Sequence, residues 1–491
     1  MLSLVVVSKE TTTKKKKKRL PPGPKGLPIV GHLHLISKNN PHRDFHKLSQ
    51  IHGPVMHLRF GSVDNIVVSS PGAAERFLKT HDLNFATRPP MEMIKHLTYG
   101  QKDLVFGQYG ELWREMRKLF TVQLLTSHKI NLHESTRREE LCLLVDSLKQ
   151  SARRGEAVDL SAKVASMSGN MSCRMLFGKK YEEKDMVDKE GGLKAVFSEV
   201  VRVGGIPNLG DFFPFLGALD VQGLGQRMKA AAKLLDQFLE KIIDEHEHPA
   251  AAPPPMLEDI VHIILRIMNN KETSFPFTRE HVKSMMVDLL VASIDTSSTA
   301  IEWIMSELIK NPTMMLKLKK ELERQVGPER MVAEKDLEGL KYLEMVIKET
   351  FRFHPVGPFL LPHAAMEDCT VDDFHVPKNA RVIISLWAIG RDPDVWSDPE
   401  RFNPERFDGS NIDYRGQNFE LLPFGSGRRG CPGLQLGITA VRLVVAQLVH
   451  CFDWSLPNGA PLEDLDMTEE FGLVMSRAQS LMAVPTYKLY T

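Results

Sequence analysis

The stretch from Thr278 to Pro312 constrains the fold most. Thr278 is a good helix N-cap and Pro312 cannot continue a helix, so the residues between them read as one helix. About 32 residues at ~1.5 Å each span ~48 Å, enough to cross a whole domain. Everything else has to pack around that rod. Its middle reads Ala292-Ser293-Ile294-Asp295-Thr296-Ser297. Helix interiors disfavour Asp and Thr because their side chains compete for backbone hydrogen bonds. The Thr296 hydroxyl can bond back to the Ala292 carbonyl and bend or open the helix. The plain alternative is a solvent-facing polar patch. Leu289, Leu290, Val291, Ala292 and Ile294 make the surroundings apolar, however, and a polar pair there needs a partner or a task.

A second stretch, Pro423 to Gly433, reads PFGSGRRGCPG and runs into an apolar segment from Leu434 to Val449. That segment is hydrophobic on nearly all sides, as a buried helix is. Pro432 suits the first helical position and biases Cys431 toward an extended backbone, so the thiol projects from a loop at the helix's positive end. The helix dipole and the neighbouring arginines favour the thiolate, and the glycines let a flat group approach. A thiolate facing a flat cofactor points to cysteine-ligated haem iron. The alternative is a small buried hydrophobe.

Length and composition set the bounds. The 491 residues contain no second linker or internal repeat, so one large domain is expected from 29 to 491, preceded by a basic tail and Pro-rich hinge over 1–28. The net charge of +1 gives no reason to expect nucleic acid. The first 28 residues are nonetheless strongly basic, with Lys14 to Lys18 followed by Pro21-Pro22-Gly23-Pro24, a stiff extended segment. Leu2 to Val7 is far short of the ~20 residues that span a bilayer, and the segment looks like one in which a longer anchor has been replaced. The lysine run is either a solvated tail or a contact with an anionic membrane. Five scattered cysteines, Cys142, Cys173, Cys369, Cys431 and Cys451, show no zinc spacing and fit a reducing environment.

Alternating runs at Val55–Phe60 and Asn65–Ser69, joined by Gly61-Ser62, read as strands, as does 371–385. Helical periodicity dominates from Gly110 to about residue 355, interrupted over Leu209 to Leu219, and the Pro- and Ala-rich 248–255 is a loop. Residues 391–418 form a long irregular stretch, a kind of segment that is usually functional. The fold class is mainly α with a minor β region (α+β).

Three further patterns have plain readings. Glu349 and Arg352 stand at i, i+3, usually a surface pair worth ~0.2–0.5 kcal/mol. Trp113 and Arg117 are one helical turn apart, as on any amphipathic helix with an interface Trp. His363 alone signals little.

The order of these motifs carries more than any one of them. Phe424, Gly427, Arg429, Cys431 and Gly433 match F-x-x-G-x-R-x-C-x-G, which resembles the haem-binding signature of the cytochrome P450 family. Upstream lie W-x-x-x-R, Asp295-Thr296, E-x-x-R and Pro404-Glu405-Arg406-Phe407 in the family's order, so the resemblance runs from Pro21 to the C-terminus. The P-P-G-P opening and Asp466 to Leu473 look like microsomal plant enzymes of the large specialised-metabolism clan.

The resemblance implies a P450 fold with haem b between the long central helix and the cysteine-loop helix. It implies that Cys431 ligates the iron and that Asp295 and Thr296 manage protons beside Ala292. Trp113, Arg117, His363 and Arg429 would contact the propionates, with Phe424 and Gly433 flanking the ligand. Arg406 would complete a buried structural cluster with Glu349 and Arg352. Ser293 departs from the family's usual Gly, which implies a narrower or differently hydrated groove.

By the same resemblance, substrate contacts come from 96–106, 287–296, 356–361 and 471–475. Phe106, Leu289, Ala292, Phe359, Leu360, Leu473 and Val474 make that pocket apolar, with Asp288 a possible polar anchor. Such a pocket suits a hydrophobic terpenoid or aromatic metabolite. The implied activity is insertion of one oxygen atom from O2, with electrons from NADPH–cytochrome P450 reductase. The implied protein is a monomer at the cytosolic face of the endoplasmic reticulum membrane. Arg114, Lys118, Arg428, Lys317, Lys319 and Lys320 would form the basic face for that acidic partner. Two other classes remain open at this point: a reductase-independent haem-thiolate isomerase or dehydratase, and a non-enzymatic haem protein.

Overall fold

The computed structural model describes residues 19–181, 192–217, 219–248, 257–270 and 273–489. The lysine run and most of the 248–255 loop lie outside the described residues.

The central helix is Arg279–Lys310, capped by Thr278, whose backbone N–H donates to His281 Nδ1 at 3.0 Å. It joins two hydrophobic cores. Its first half, Val282 to Leu290, packs with the helices Glu111–Leu119, Leu224–Glu247 and Ile260–Asn269. Its second half, Ala300 to Ile309, packs with Glu134–Arg154, Lys341–Phe353 and the cysteine-loop helix Leu434–Cys451. The cysteine-loop helix is long and apolar enough to cross a membrane, but most of it is buried in this core, as its all-round hydrophobicity requires.

The β structure is small and built from distant segments. One sheet orders Val55–Phe60, Val63–Val68, Arg381–Ile384 and His363–Ala364. The first pair is an antiparallel hairpin running from Val55↔Val68 to Phe60↔Val63, and Arg381–Ile384 joins parallel to the second strand. Val158–Asp159, Met482–Tyr487 and Phe452–Ser455 form a three-stranded sheet.

The expected boundary at residue 28 moves. Pro22 O accepts from His57 N (2.9 Å) and Arg19 O from His375 N (2.8 Å), so the Pro-rich segment is docked on the body from Arg19 onward. A rigid PPII-like segment has few conformations to lose, which makes this docking inexpensive.

Candidate functional site

The middle of the central helix is unlike its ends. Every residue from His281 to Leu290 and from Ser298 to Ile309 is buried, whereas none from Val291 to Ser297 is, and Ala292 and Thr296 are exposed. An accessible window inside a helix that joins two cores faces an internal space. The helix stays α-helical through the window.

Hydroxyls brace the carbonyls there. Thr296 Oγ1 donates to Ala292 O (2.7 Å), Ser293 Oγ to Leu290 O (3.3 Å), and Ser298 Oγ to Ile294 O (2.9 Å). Ser168 from a neighbouring helix donates to the carbonyls of Ser293 and Ile294. Ser293 therefore turns its hydroxyl back onto its own helix. Asp295 is half-buried without a charged or hydrogen-bonding partner among the described residues, and burial alone pushes its pKa up.

Next to this window lies the cysteine loop, whose following helix brings Gly437 against Ser297. Cys431 N donates to Phe424 O (2.8 Å), and the sulfur accepts from the Gly433 N–H. The thiol is accessible, yet enough protein surrounds it for burial to push its pKa up, so its open side also faces an internal space. The expected stabilisation by neighbouring arginines is corrected. Arg428 bonds Asp82, and Arg429 turns to three backbone carbonyls. The guanidinium that draws the thiol's pKa down is Arg117, whose Nη1 donates to Gly430 O at 2.6 Å. Pro432 is likewise not the first helical residue: Gly433 is the N-cap and the helix starts at Leu434.

Two glycines show what the loop requires. Gly427 has φ +64°, and a Cβ there would sit 2.7 Å from Leu78 O and Asp82 Oδ1, so protein atoms fill that side. A Cβ on Gly433 would meet only Cys431 Sγ, at 3.8 Å, which leaves room beside the sulfur. The two helices approach behind it: a Cβ on Gly437 would lie 3.8 Å from Phe424 and 3.9 Å from Ser297 Oγ.

The expected propionate donors divide. Trp113 Nε1 donates to Leu104 O (2.9 Å), so the indole donor is spent on backbone. Arg429 lies over the Trp113 ring at 4.3 Å and donates to Ala86 O, Leu104 O and Gly107 O; burial pulls its pKa to about 9. His363 Nδ1 donates to Phe85 O (2.7 Å), and burial lowers its pKa to about 3, which makes it a neutral donor. Arg117 spends one of its five N–H donors on Gly430 O, and it lines a pocket of about 280 Å³ with Tyr109, Trp113, Arg114, Gly427 and Arg428.

Of the predicted pocket residues, Phe106, Leu360 and Val474 are half-buried, and Leu360 Cδ2 lies 3.8 Å from a Cβ placed on Gly425 in the cysteine loop. Leu289 belongs to the first core. Phe359 packs on Phe45 (5.2 Å between ring centres) in the cluster beside the four-stranded sheet, and Leu473 is 36% exposed near Gly205. Leu289, Phe359 and Leu473 thus have packing partners that a linear motif does not show.

Asp288 is also corrected. It is 6% exposed, accepts from Leu104 N (2.7 Å) and faces Asp103, whose own carboxylate accepts from Phe106 N (2.8 Å). Burial and the Asp103 charge raise its pKa well above the ordinary range, so the two carboxyls share a proton and tie loop 103–106 to the central helix. Nothing in the sequence pattern singled out Asp103. Arg88, missed for the same reason, joins this loop to the segment before His363 by donating to Val105 O, Leu361 O and Pro362 O.

Glu349, Arg352 and Arg406 do come together. Arg352 forks onto both Glu349 oxygens (2.7 and 2.8 Å), while Arg406 Nε (3.0 Å) and Asn403 N (2.6 Å) add to Oε1. Arg352 and Arg406 then bind the carbonyls of Ser397, Pro399 and Arg401, fixing the irregular stretch that leads to the cysteine loop.

The comparisons agree with this arrangement. The sequence profile described as Cytochrome P450 matches residues 21–482. Cytochrome P450 CYP736A12 of Panax ginseng is 50% identical over 476 residues, covering 96% of this chain and 94% of that one. Flavonoid 3'-monooxygenase CYP75B137 of Crocosmia x crocosmiiflora and melianol synthase CYP71BQ5 of Melia azedarach are each 38% identical, covering 96% of this chain and 93% of theirs. A zebra fish cytochrome P450 solved with progesterone superposes with TM-score 0.76 at 29% identity, over 91% of this chain and 99% of that one. With the family profile matching residues 21–482 and a relative 50% identical over 96% of this chain's length, the chain belongs to the cytochrome P450 family.

Proposed function

We propose that this chain is a plant monooxygenase that inserts one oxygen atom from O2 into a hydrophobic specialised metabolite, a terpenoid or a phenolic. The observation that carries this reading is the accessible Cys431 thiol, whose following helix meets the central helix at Ser297, beside the accessible Ala292–Thr296 stretch. The residues present fit haem b: the sulfur has open space beside Gly433, and Arg117 stands ready for a carboxylate. Bound there through Cys431, haem supplies the oxygen-activating redox chemistry.

The chain's own residues do the rest. Burial raises the pKa of Asp295, which favours its protonated form, and Thr296 presents a hydroxyl anchored by Ala292 O. The apolar walls exclude water and orient the substrate. Relatives named for flavonoid and melianol chemistry support both substrate classes.

We further propose NADPH–cytochrome P450 reductase as the electron donor, a monomeric single catalytic unit, and residence at the cytosolic face of the endoplasmic reticulum membrane. The basic face for the reductase is smaller than the sequence implies. Arg428, Lys317 and Lys319 are already paired with Asp82, Glu405 and Asp453, which leaves Arg114, Lys118 and Lys320. The test is a screen of terpenes and phenolics with reductase and NADPH, followed by mass analysis of products. Products carrying one atom of labelled O2 are expected. Full turnover of a hydroperoxide without NADPH would instead establish an isomerase or dehydratase.

A further inference from the structure

A second cluster of ligating side chains lies away from the cysteine loop, where the helices Leu224–Glu247 and Ile260–Asn269 meet. His246 sits in the last turn of the first helix, Asp259 caps the second, and His262 stands in the second helix's first turn. Asp259 is 3% exposed and the His246 side chain 6%, whereas 32% of the His262 side chain is open to solvent. Asp259 Oδ1 accepts from His262 N at 2.9 Å. Its carboxylate faces His246 Nε2 at 3.1 and 3.2 Å and His262 Nδ1 at 2.9 Å.

The His246 ring is oriented by a second contact. Its Nδ1 lies 2.7 Å from Ile242 O, a carbonyl that can only accept, so Nδ1 carries the hydrogen. The other nitrogen, Nε2, points at the Asp259 carboxylate, an orientation in which a neutral ring presents its lone pair to a cation held by both groups and a protonated ring donates to the carboxylate directly. A backbone carbonyl on the far nitrogen is the outer-shell arrangement that metal-binding histidines use. Gly178 packs directly against the carboxylate, since a Cβ there would sit 2.9 Å from Asp259 Oδ2, and its lack of a side chain permits that approach.

We propose that His246, Asp259 and His262 bind a divalent transition-metal ion of the zinc type. Ligands at ~2.0–2.1 Å in a tetrahedron lie ~3.4 Å apart. Here the facing atoms are 2.9–3.2 Å apart, so the rings open slightly to admit an ion, and all three donor atoms fall within 4.8 Å of one another. Two imidazoles with one carboxylate select zinc-like ions over calcium or magnesium, which prefer all-oxygen sites. The exposed side of His262 gives the ion its entry path and leaves the fourth position to water. Bound there, the ion clips the end of one helix to the start of the next.

The test uses the haem-loaded full chain, stripped with a chelator and titrated with ZnCl2 by calorimetry. One saturable site is expected. Its affinity should fall in His262→Ala and in His246→Gln by at least the ~10–100-fold that loss of an outer-shell partner costs. Zn2+ should raise the melting temperature of the parent and leave both variants unmoved, while their reduced carbon monoxide spectra stay unchanged. Should His246→Gln lose its haem, His262→Ala decides alone, because it keeps the Asp259 cap. Superimposable isotherms for parent and variants, or no saturable site in the parent, overturn the proposal and leave a proton between His246 and Asp259.

Discussion

Glu349 and Asp295 are both carboxylates well inside helices, and their surroundings are opposite. Glu349 is fully buried and accepts four hydrogen bonds from Arg352, Arg406 and Asn403. Asp295 is half-buried with no such partner among the described residues, and burial raises its pKa. A carboxylate with all its lone pairs engaged is fixed as a scaffold charge. One left without donors keeps a proton available and can pass it on. The ion cluster that leads to the cysteine loop is therefore built for rigidity, and the proton role proposed for the window rests on the contrasting surroundings of Asp295.

The largest test of this contrast is Glu349→Gln. Removing one member of a buried ion cluster leaves two guanidiniums without their charge partner, and a loss of about 3–5 kcal/mol is expected. Thermal unfolding monitored by haem absorbance measures it. A loss below ~1 kcal/mol would mean the cluster is not holding the loop.

Asp295→Asn and Thr296→Ala should do the reverse, leaving stability nearly unchanged while product formation falls by about 10²-fold. The parent's rate should decline as pH rises through the raised Asp295 pKa, and Asp295→Asn should lack that alkaline limb. A variant with an unaltered pH profile would remove Asp295 from the proton path.

The smallest effect belongs to Asp288, which is intermediate between the two: fully buried, yet proton-sharing. Its folded pKa is raised, so its contribution is fully present below the ordinary carboxyl pKa and fades as pH rises through the raised one. Asp288→Asn keeps an acceptor for Leu104 N and a donor for Asp103, so its melting temperature should depend less on alkaline pH than the parent's. Asp288→Ala strands the Leu104 N–H and should cost about 1–3 kcal/mol.

Much of the fold was legible because its signals are local. The Thr278 cap and Pro312 stop bound the Arg279–Lys310 helix, and Gly61-Ser62 marks the hairpin between Val55–Phe60 and Val63–Val68. Cys431, Thr296 and the Glu349–Arg352 pair were readable because spacing on one element places them. Direction was not readable. Trp113 spends its donor on Leu104 O, Phe359 turns into the small-sheet cluster, and Arg429 faces backbone rather than the thiol, because each is decided by a partner hundreds of residues away or in another element.

The sequence by itself determined the reaction class: a cysteine in a glycine-lined turn ahead of an apolar helix, with an acid and an alcohol in the middle of the longest one. Only the tertiary structure decided which charges act on one another. Asp103 meets Asp288, Asp259 meets two histidines, and Arg117 takes the place beside Cys431 that its sequence neighbours leave. Interactions between charges depend on distance and on exclusion of water, and both are set when the chain closes on itself.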